Sequence, residues 1–219
     1  MVYNPAPMIS AEFPQALYYQ IFNLKPGRGE ERKMKIVLAA IDSLAEKGLE
    51  QTTFDSIGKR LRMRRTHVAY YFPNRDELVK ACIRYVVAVG QSLIIDQAMA
   101  TKNWKLRLKA VVEGPFDWLE ANPKHASVML LFYSLAGHSA EYRELQNSIR
   151  TMGEQRLASC LEPLRVSGGE ATARDLARQM QALMTGSVCL LFTSDYPVSI
   201  GKLKTQVYRT CLEWAENAS

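Results

Sequence analysis

Residues 52–78 read Thr52-Thr53-Phe54-Asp55-Ser56-Ile57-Gly58-Lys59-Arg60-Leu61-Arg62-Met63-Arg64-Arg65-Thr66-His67-Val68-Ala69-Tyr70-Tyr71-Phe72-Pro73-Asn74-Arg75-Asp76-Glu77-Leu78, and this stretch decides the fold. Thr52 to Asp55 has the Ser/Thr-x-x-acid form of a capping box, in which a hydroxyl and a carboxylate satisfy free backbone N–H groups at a helix start. That predicts a short helix over residues 53–61. A break at residues 61–63 leads to a second short helix over 64–72, stopped by Pro73. Asn74 then caps a longer helix, with Glu77 at its third position. Two short helices joined by a tight turn, the second of them cationic, form the arrangement in which a helix enters the major groove of DNA. Such a helix needs apolar residues on its inner face and polar or cationic ones outside. Val68 and Phe72, four apart, supply the inner face, while Arg64, Arg65, His67 and Tyr71 face out, with Thr66 and Tyr70 between them.

Working outward, the rest of the chain reads as helix. Apolar residues recur at three and four, and the alternation that marks strands is missing. Upstream, residues 30–47 place Ile36, Val37, Ala40, Ile41 and Leu44 on one face, and Gly48 stands at the position after the helix end where a positive φ is favoured. Before it, Phe13, Leu17, Ile21 and Leu24 form one stripe of an extra helix or arm, followed by the basic joint Lys25-Pro26-Gly27-Arg28-Gly29. Downstream, amphipathic stretches cover 75–99, 103–121, 124–137, 139–164, 170–194 and 199–217, with Pro115 expected to kink the second. The expected fold is therefore all-α: an N-terminal three-helix helix-turn-helix domain at 30–78, a helical bundle at 79–219, and an extension at 1–29.

Charge is unevenly placed. Of the +6 net charge, residues 1–90 carry fourteen Lys and Arg against nine Asp and Glu, whereas the remainder carries fourteen against thirteen. No acid falls between Asp55 and Asp76, a span that holds Lys59, Arg60, Arg62, Arg64, Arg65 and Arg75. Such a run is either a solvated face or a nucleic-acid footprint. The four cysteines, Cys82, Cys160, Cys189 and Cys211, are far apart in helical segments and contain no Cys-x-x-Cys pair, which predicts reduced, buried thiols. No membrane span and no secretory signal is read, and a cytoplasmic location is expected. The three histidines lack metal-ligand spacing, and no phosphate loop, nucleophile elbow or dinucleotide fingerprint occurs. Enzyme chemistry, a cofactor and a metal site are therefore not predicted.

Residues 32–80 resemble the DNA-binding domain of the TetR family of bacterial regulators. The matching elements are Ile36-Val37-Leu38-Ala39-Ala40, Glu46-Lys47-Gly48, Thr52-Thr53, Ile57-Gly58 and Tyr70 to Leu78. The chain departs from the family at the turn. Leu61-Arg62-Met63-Arg64 stands for Ala-Gly-Val-Ser, losing the turn glycine and the serine cap, and Thr66-His67-Val68-Ala69 stands for Gly-Thr-Leu-Tyr, losing a phosphate-contacting tyrosine at Ala69. The resemblance assigns Arg65, Thr66 and Tyr70 to base readout, with Arg64 added, and Tyr71, Arg75 and the Thr53 helix end to phosphate. Packing against the first helix is the alternative for Tyr70 and Tyr71, and cover of the inner edge for His67.

One recognition helix reads few bases, so a homodimer on an inverted-repeat operator of double-stranded DNA is expected. The last two helices resemble the family's dimer interface. Leu176, Met180, Leu183, Met184, Val188 and Leu191 stripe one of them, and Leu203, Val207, Cys211 and Trp214 the other; intramolecular core is the alternative reading. The resemblance also implies a ligand pocket among the middle helices. Its candidates are Trp104, Phe116, Trp118, Met129, Phe132, Tyr133 and Met152, which would favour a small apolar or aromatic effector, against ordinary core packing. The functional expectation is a repressor released from its operator by that effector. The competing expectation is a ligand-independent DNA-binding protein of the same fold, acting in nucleoid organisation or through a protein partner.

Overall fold

The computed structural model of the chain describes residues 28–164, 169–195 and 197–218. Of the extension expected over residues 1–29, residues 1–27 lie outside them, as does the boundary expected near Val166, whereas Arg28 and Gly29 of the expected basic joint are helical. The described elements are α1 (Arg28–Gln51), α2 (Phe54–Leu61), α3 (Arg65–Tyr71), α4 (Arg75–Met99), α5 (Trp104–Ala121), α6 (Pro123–His138), α7 (Ala140–Leu161), a 3₁₀ turn (Glu162–Leu164), α8 (Gly169–Thr193) and α9 (Ile200–Asn217). There is no strand among the described residues.

The chain divides into two compact units. One holds the described residues up to Gly90 together with Ala121–Phe132; the other holds Gln91–Glu120 and the described residues from Tyr133 onward. Compactness thus groups the chain differently from a cut at residue 78.

In the first unit, Ile36, Val37, Ile57, Val68, Leu78 and Ile83 are completely buried. Each contributes about 1.5–3 kcal/mol of apolar burial, which holds the short helices α2 and α3 that could not persist alone. Gly48 has φ 75° and ψ 179°, so the regular turns of α1 are broken there by a kink in a conformation that favours glycine, three residues before the element closes at Gln51. The cap of α2 lies one residue later than expected. Thr53 accepts from the Ser56 amide (3.1 Å) while Ser56 Oγ accepts from the Thr53 amide (2.9 Å), so Asp55 takes no part. Thr52 is instead buried, its hydroxyl between the Gly48 carbonyl (2.8 Å) and the Ser43 hydroxyl (3.0 Å).

The second unit is built on Leu108, Phe116, Leu157, Leu161 and Met180, all fully buried. Helix α5 runs through Pro115 as one element. It is tied to α9 by the ion pairs Lys204–Asp117 and Lys105–Glu216 (2.5 Å) and by the Tyr208 hydroxyl donating to the Lys105 carbonyl (3.3 Å). The stripe expected to face a partner is largely intramolecular: Leu176, Met180, Met184 and Val188 on α8, and Leu203, Val207 and Cys211 on α9, are buried within the protomer. Only Leu183, Leu191 and Trp214 of that set are part-exposed. A 3.6-residue period locates an apolar face without naming what covers it. The face of α8 left open carries Ala182, Gly186 and Leu190, the last 48% exposed.

Cys82, Cys160 and Cys211 are buried free thiols, as expected, whereas Cys189 is only part-buried. Burial pushes the Cys211 thiol up to about 12. By length and composition α4 is apolar enough to cross a membrane, but 61% of its most apolar window is buried inside the protein, the pattern of a core helix.

Candidate nucleic-acid interface

Helix α3 is seven residues long and is held from beneath by two of its own side chains. Val68 is fully buried and Phe72, the C-cap, is 3% exposed, with the Lys33 ammonium 5.3 Å from its ring centroid. With both anchors pointing inward at a spacing of four, the remaining residues must project away. Arg64, Arg65, Thr66, His67 and Ala69 are exposed, Tyr71 is half-buried, and Tyr70 is 82% exposed with its ring edge-on to Tyr71 at 5.1 Å. An aromatic ring left that open gains nothing from packing against α1. Arg75, at the start of α4, and Thr53, before α2, are exposed as well.

The turn between α2 and α3 carries both features its sequence predicts. Arg62 takes the left-handed conformation at φ 54°, ψ 40°, where the family has glycine. The Met63 amide donates to the Gly58 carbonyl (2.8 Å) and the Arg62 amide to the Lys59 carbonyl (3.3 Å), the two bonds of a Schellman ending. Arg64 is the N-cap of α3 and makes no side-chain cap bond, so the lost serine is not replaced. Gly58 is the close approach in this turn: a Cβ there would stand 2.8 Å from the Met63 carbonyl oxygen.

Of the cations in the acid-free stretch, Arg60 is committed elsewhere. Its guanidinium forks onto Glu46 at 2.8 and 3.0 Å and lies 3.9 Å from Asp42, while Lys124, at the start of α6, holds Asp42 at 2.5 Å. The hydrogen bond from Arg60 holds the Glu46 carboxyl below its usual range. This network spans α1, α2 and α6, and its partners are too distant in sequence to be paired by inspection. Arg65 lies 3.7 Å from Asp55. Among the described residues no ion pair engages Arg62, Arg64 or Arg75. The Thr53 hydroxyl and amide are both used in the cap, leaving the Phe54 and Asp55 amides at the helix end. A groove of about 520 Å³ between α1 and α2 is lined by Glu46, Lys47, Thr53, Asp55, Lys59 and Arg60 among others. Its mixed signs give no continuous anion track, in contrast to the face of α3.

The pocket candidates are distributed over both units. Met129 and Phe132 belong to the first; Trp104, Phe116, Trp118, Tyr133 and Met152 belong to the second. Phe116 and Phe132 are fully buried, Trp118 and Met129 nearly so, Trp104 and Tyr133 are half-buried, and Met152 is 41% exposed at the surface. Burial pushes the Tyr133 hydroxyl up to about 12, so it stays protonated. His125, which no sequence pattern singles out, is buried on α6 with its ring edge-on to Tyr85 at 6.0 Å, and burial holds its imidazole down to about 4.

A short, apolar-braced helix that presents arginine and tyrosine behind a capped partner helix defines a helix-turn-helix DNA-binding regulator. Comparison with known proteins gives the class its family. The family "Bacterial regulatory proteins, tetR family" matches residues 36–82, and "BetI-type transcriptional repressor, C-terminal" matches residues 105–207. The HTH-type transcriptional regulator BetI of Burkholderia thailandensis is 30% identical over 165 residues, covering 74% of this chain and 82% of that one. Its counterpart in Burkholderia ambifaria is 29% identical over the same shares. Among solved structures, a putative transcriptional regulator from Saccharomonospora viridis in complex with choline superposes with a TM-score of 0.73 at 18% identity, over 82% of this chain and 94% of that one. A TetR transcription regulator from Haloarcula marismortui gives 0.72 at 16% identity, over 86% and 98%. The chain belongs to the TetR family of bacterial transcriptional regulators.

Proposed function

We propose that this regulator is a repressor that binds an inverted-repeat operator as a homodimer and leaves it when a small molecule binds among the helices that follow the helix-turn-helix domain. The observation that carries the reading is the exposed face of α3, fixed by Val68 and Phe72 and bearing Arg64, Arg65, Thr66, His67 and Tyr70. Arginine suits the O6 and N7 acceptors of guanine, and Thr and Tyr suit base edges or phosphate. Tyr71, Arg75 and the N-terminal end of α2 at Thr53 serve the phosphates on either side. Two copies are required because one short helix reads too few bases. The open face of α8, with Ala182, Gly186 and Leu190, favours the last two helices as the contact, by a different side from the stripe that the periodicity picks out. The role is one of binding and not catalysis, exercised in the cytoplasm where the operator is.

The effector reading draws on the BetI-type match and on the choline held by the Saccharomonospora viridis protein. Trp104 and Tyr133, half-buried, and Trp118 offer aromatic faces that attract a quaternary ammonium or stack on an apolar ring. Phe116, in the same unit, would line the apolar floor, and surface-exposed Met152 is the weakest member of the set.

Selection of bound sites from random duplex DNA with the purified chain tests the proposal directly. An inverted-repeat consensus whose affinity drops on adding choline or an aromatic effector is the expected result. Bound DNA without a shared sequence would overturn the operator reading and favour the nucleoid alternative.

A further inference from the structure

The acid that the capping pattern assigns to the α2 start has a different neighbour. Ser56, not Asp55, closes the cap with Thr53, so the Asp55 carboxylate is free of any duty to the backbone. Its Oδ2 lies 3.7 Å from Nη1 of Arg65, the first residue of α3. Asp55 is the last acid before a run of twenty residues without one, and it stands beside the arginine at the tip of the helix that faces the groove. A carboxylate placed there is unfavourable for general attraction to DNA, because it repels phosphate and occupies a helix end that would otherwise draw an anion. The ion pair itself adds little to folding, since both of its side chains are more than half exposed, at 68% and 60%; what Asp55 gives the first turn of α2 does not need Arg65.

A pair that is costly to general affinity and adds little to stability makes sense through what it does to the arginine. A guanidinium has five N–H donors in a rigid fork, and guanine needs only two of them. With Nη1 drawn toward Asp55, other N–H groups of the fork remain for O6 and N7, and rotamers in which Arg65 would reach sideways to a phosphate are disfavoured. We propose that Asp55 is a specificity-determining residue of this regulator: it positions Arg65 for base readout and penalises binding to DNA that offers Arg65 no guanine. This rests on the reading of α3 as the recognition helix and deepens it.

The test uses the full-length protein, its selected consensus site, the same site changed at one base step at a time, and an unrelated duplex. Wild type, Asp55→Asn, Arg65→Ala and the double variant are compared by fluorescence anisotropy at one ionic strength. Asp55→Asn keeps the side-chain shape and removes the charge. It should lower discrimination about two- to fivefold at a single base step, the range expected for an exposed ion pair, while affinity for the unrelated duplex rises. The effect on that step should vanish when Arg65 is already alanine, whereas a residue that merely supported the fold would weaken all duplexes alike. Discrimination profiles that coincide for Asp55→Asn and wild type would overturn the proposal and leave the recognition reading intact, as would an Asp55→Asn effect that persists in full without Arg65. A wild-type chain that selects no sequence would overturn both.

Discussion

Acidification should destabilise this protein in a pH interval set by one buried imidazole. His125 sits on α6 against Tyr85, and burial holds its folded-state proton affinity at about 4 instead of the ordinary 6.5. The unfolded chain takes up a proton as pH falls through 6.5, and the folded chain does not until about 4, so stability is complete above 6.5 and is lost between those limits. The loss amounts to about 2 kcal/mol by pH 5 and about 3 kcal/mol by pH 4, a large fraction of ordinary domain stability. Glu46, held low by Arg60, acts at the more acidic end, because its stabilisation begins to disappear as pH falls through the usual carboxylate range and is gone once pH is below its own lowered value. The assay is urea unfolding followed by circular dichroism at half-unit steps from pH 7.5 to 4.5, for wild type and His125→Gln. The variant should be weaker at neutral pH and should have a nearly flat profile between 6.5 and 5. A wild-type slope retained in full by His125→Gln would refute the assignment.

Three further outcomes are expected. Arg62→Gly relieves a left-handed backbone at an exposed position, so it should raise stability by about 0.5–1 kcal/mol, seen as a rise of about 1–4 °C in Tm. Arg75→Ala, at an exposed cation beyond the recognition helix, should weaken every duplex by a similar factor, whereas Arg65→Ala should cost about 1–3 kcal/mol on the selected site and relax one base step, both read by anisotropy. Leu190→Glu places a charge on the open face of α8 and should shift the protein from dimer to monomer in analytical ultracentrifugation while leaving its helical spectrum unchanged.

The features legible in the sequence were those fixed by local chemistry. Val68 and Phe72 lie four apart and could only share a face; Gly48 and Pro73 mark ends that the backbone itself enforces. The capping pattern points one residue too early in α2 because two threonines stand together, and either could serve. The structure chooses Thr53 because Ser56 can answer it and because the Thr52 hydroxyl is drawn to Gly48 and Ser43. What the sequence left unseen depends on distance along the chain. Arg60 and Glu46 are fourteen residues apart, and Lys124 meets Asp42 from eighty-two residues away, so a cation counted toward the DNA face belongs to an internal network. The stripe on α8 was recognised as apolar, but its partner proved to be the protomer's own core.

That network also limits how the protein exchanges ions with solvent. Of the six cations between Asp55 and Asp76, Arg60 is forked onto Glu46 and Arg65 is shared with Asp55, which leaves Lys59, Arg62, Arg64 and Arg75 outside any ion pair among the described residues. If the proposed dimer brought all four to the DNA on each copy, displacement of condensed counterions by this stretch would give a log–log dependence on salt of about −7, where six unpaired cations per copy would approach about −11. A regulator built this way would surrender less of its grip when ionic strength rises, and it would depend correspondingly more on reading the right bases.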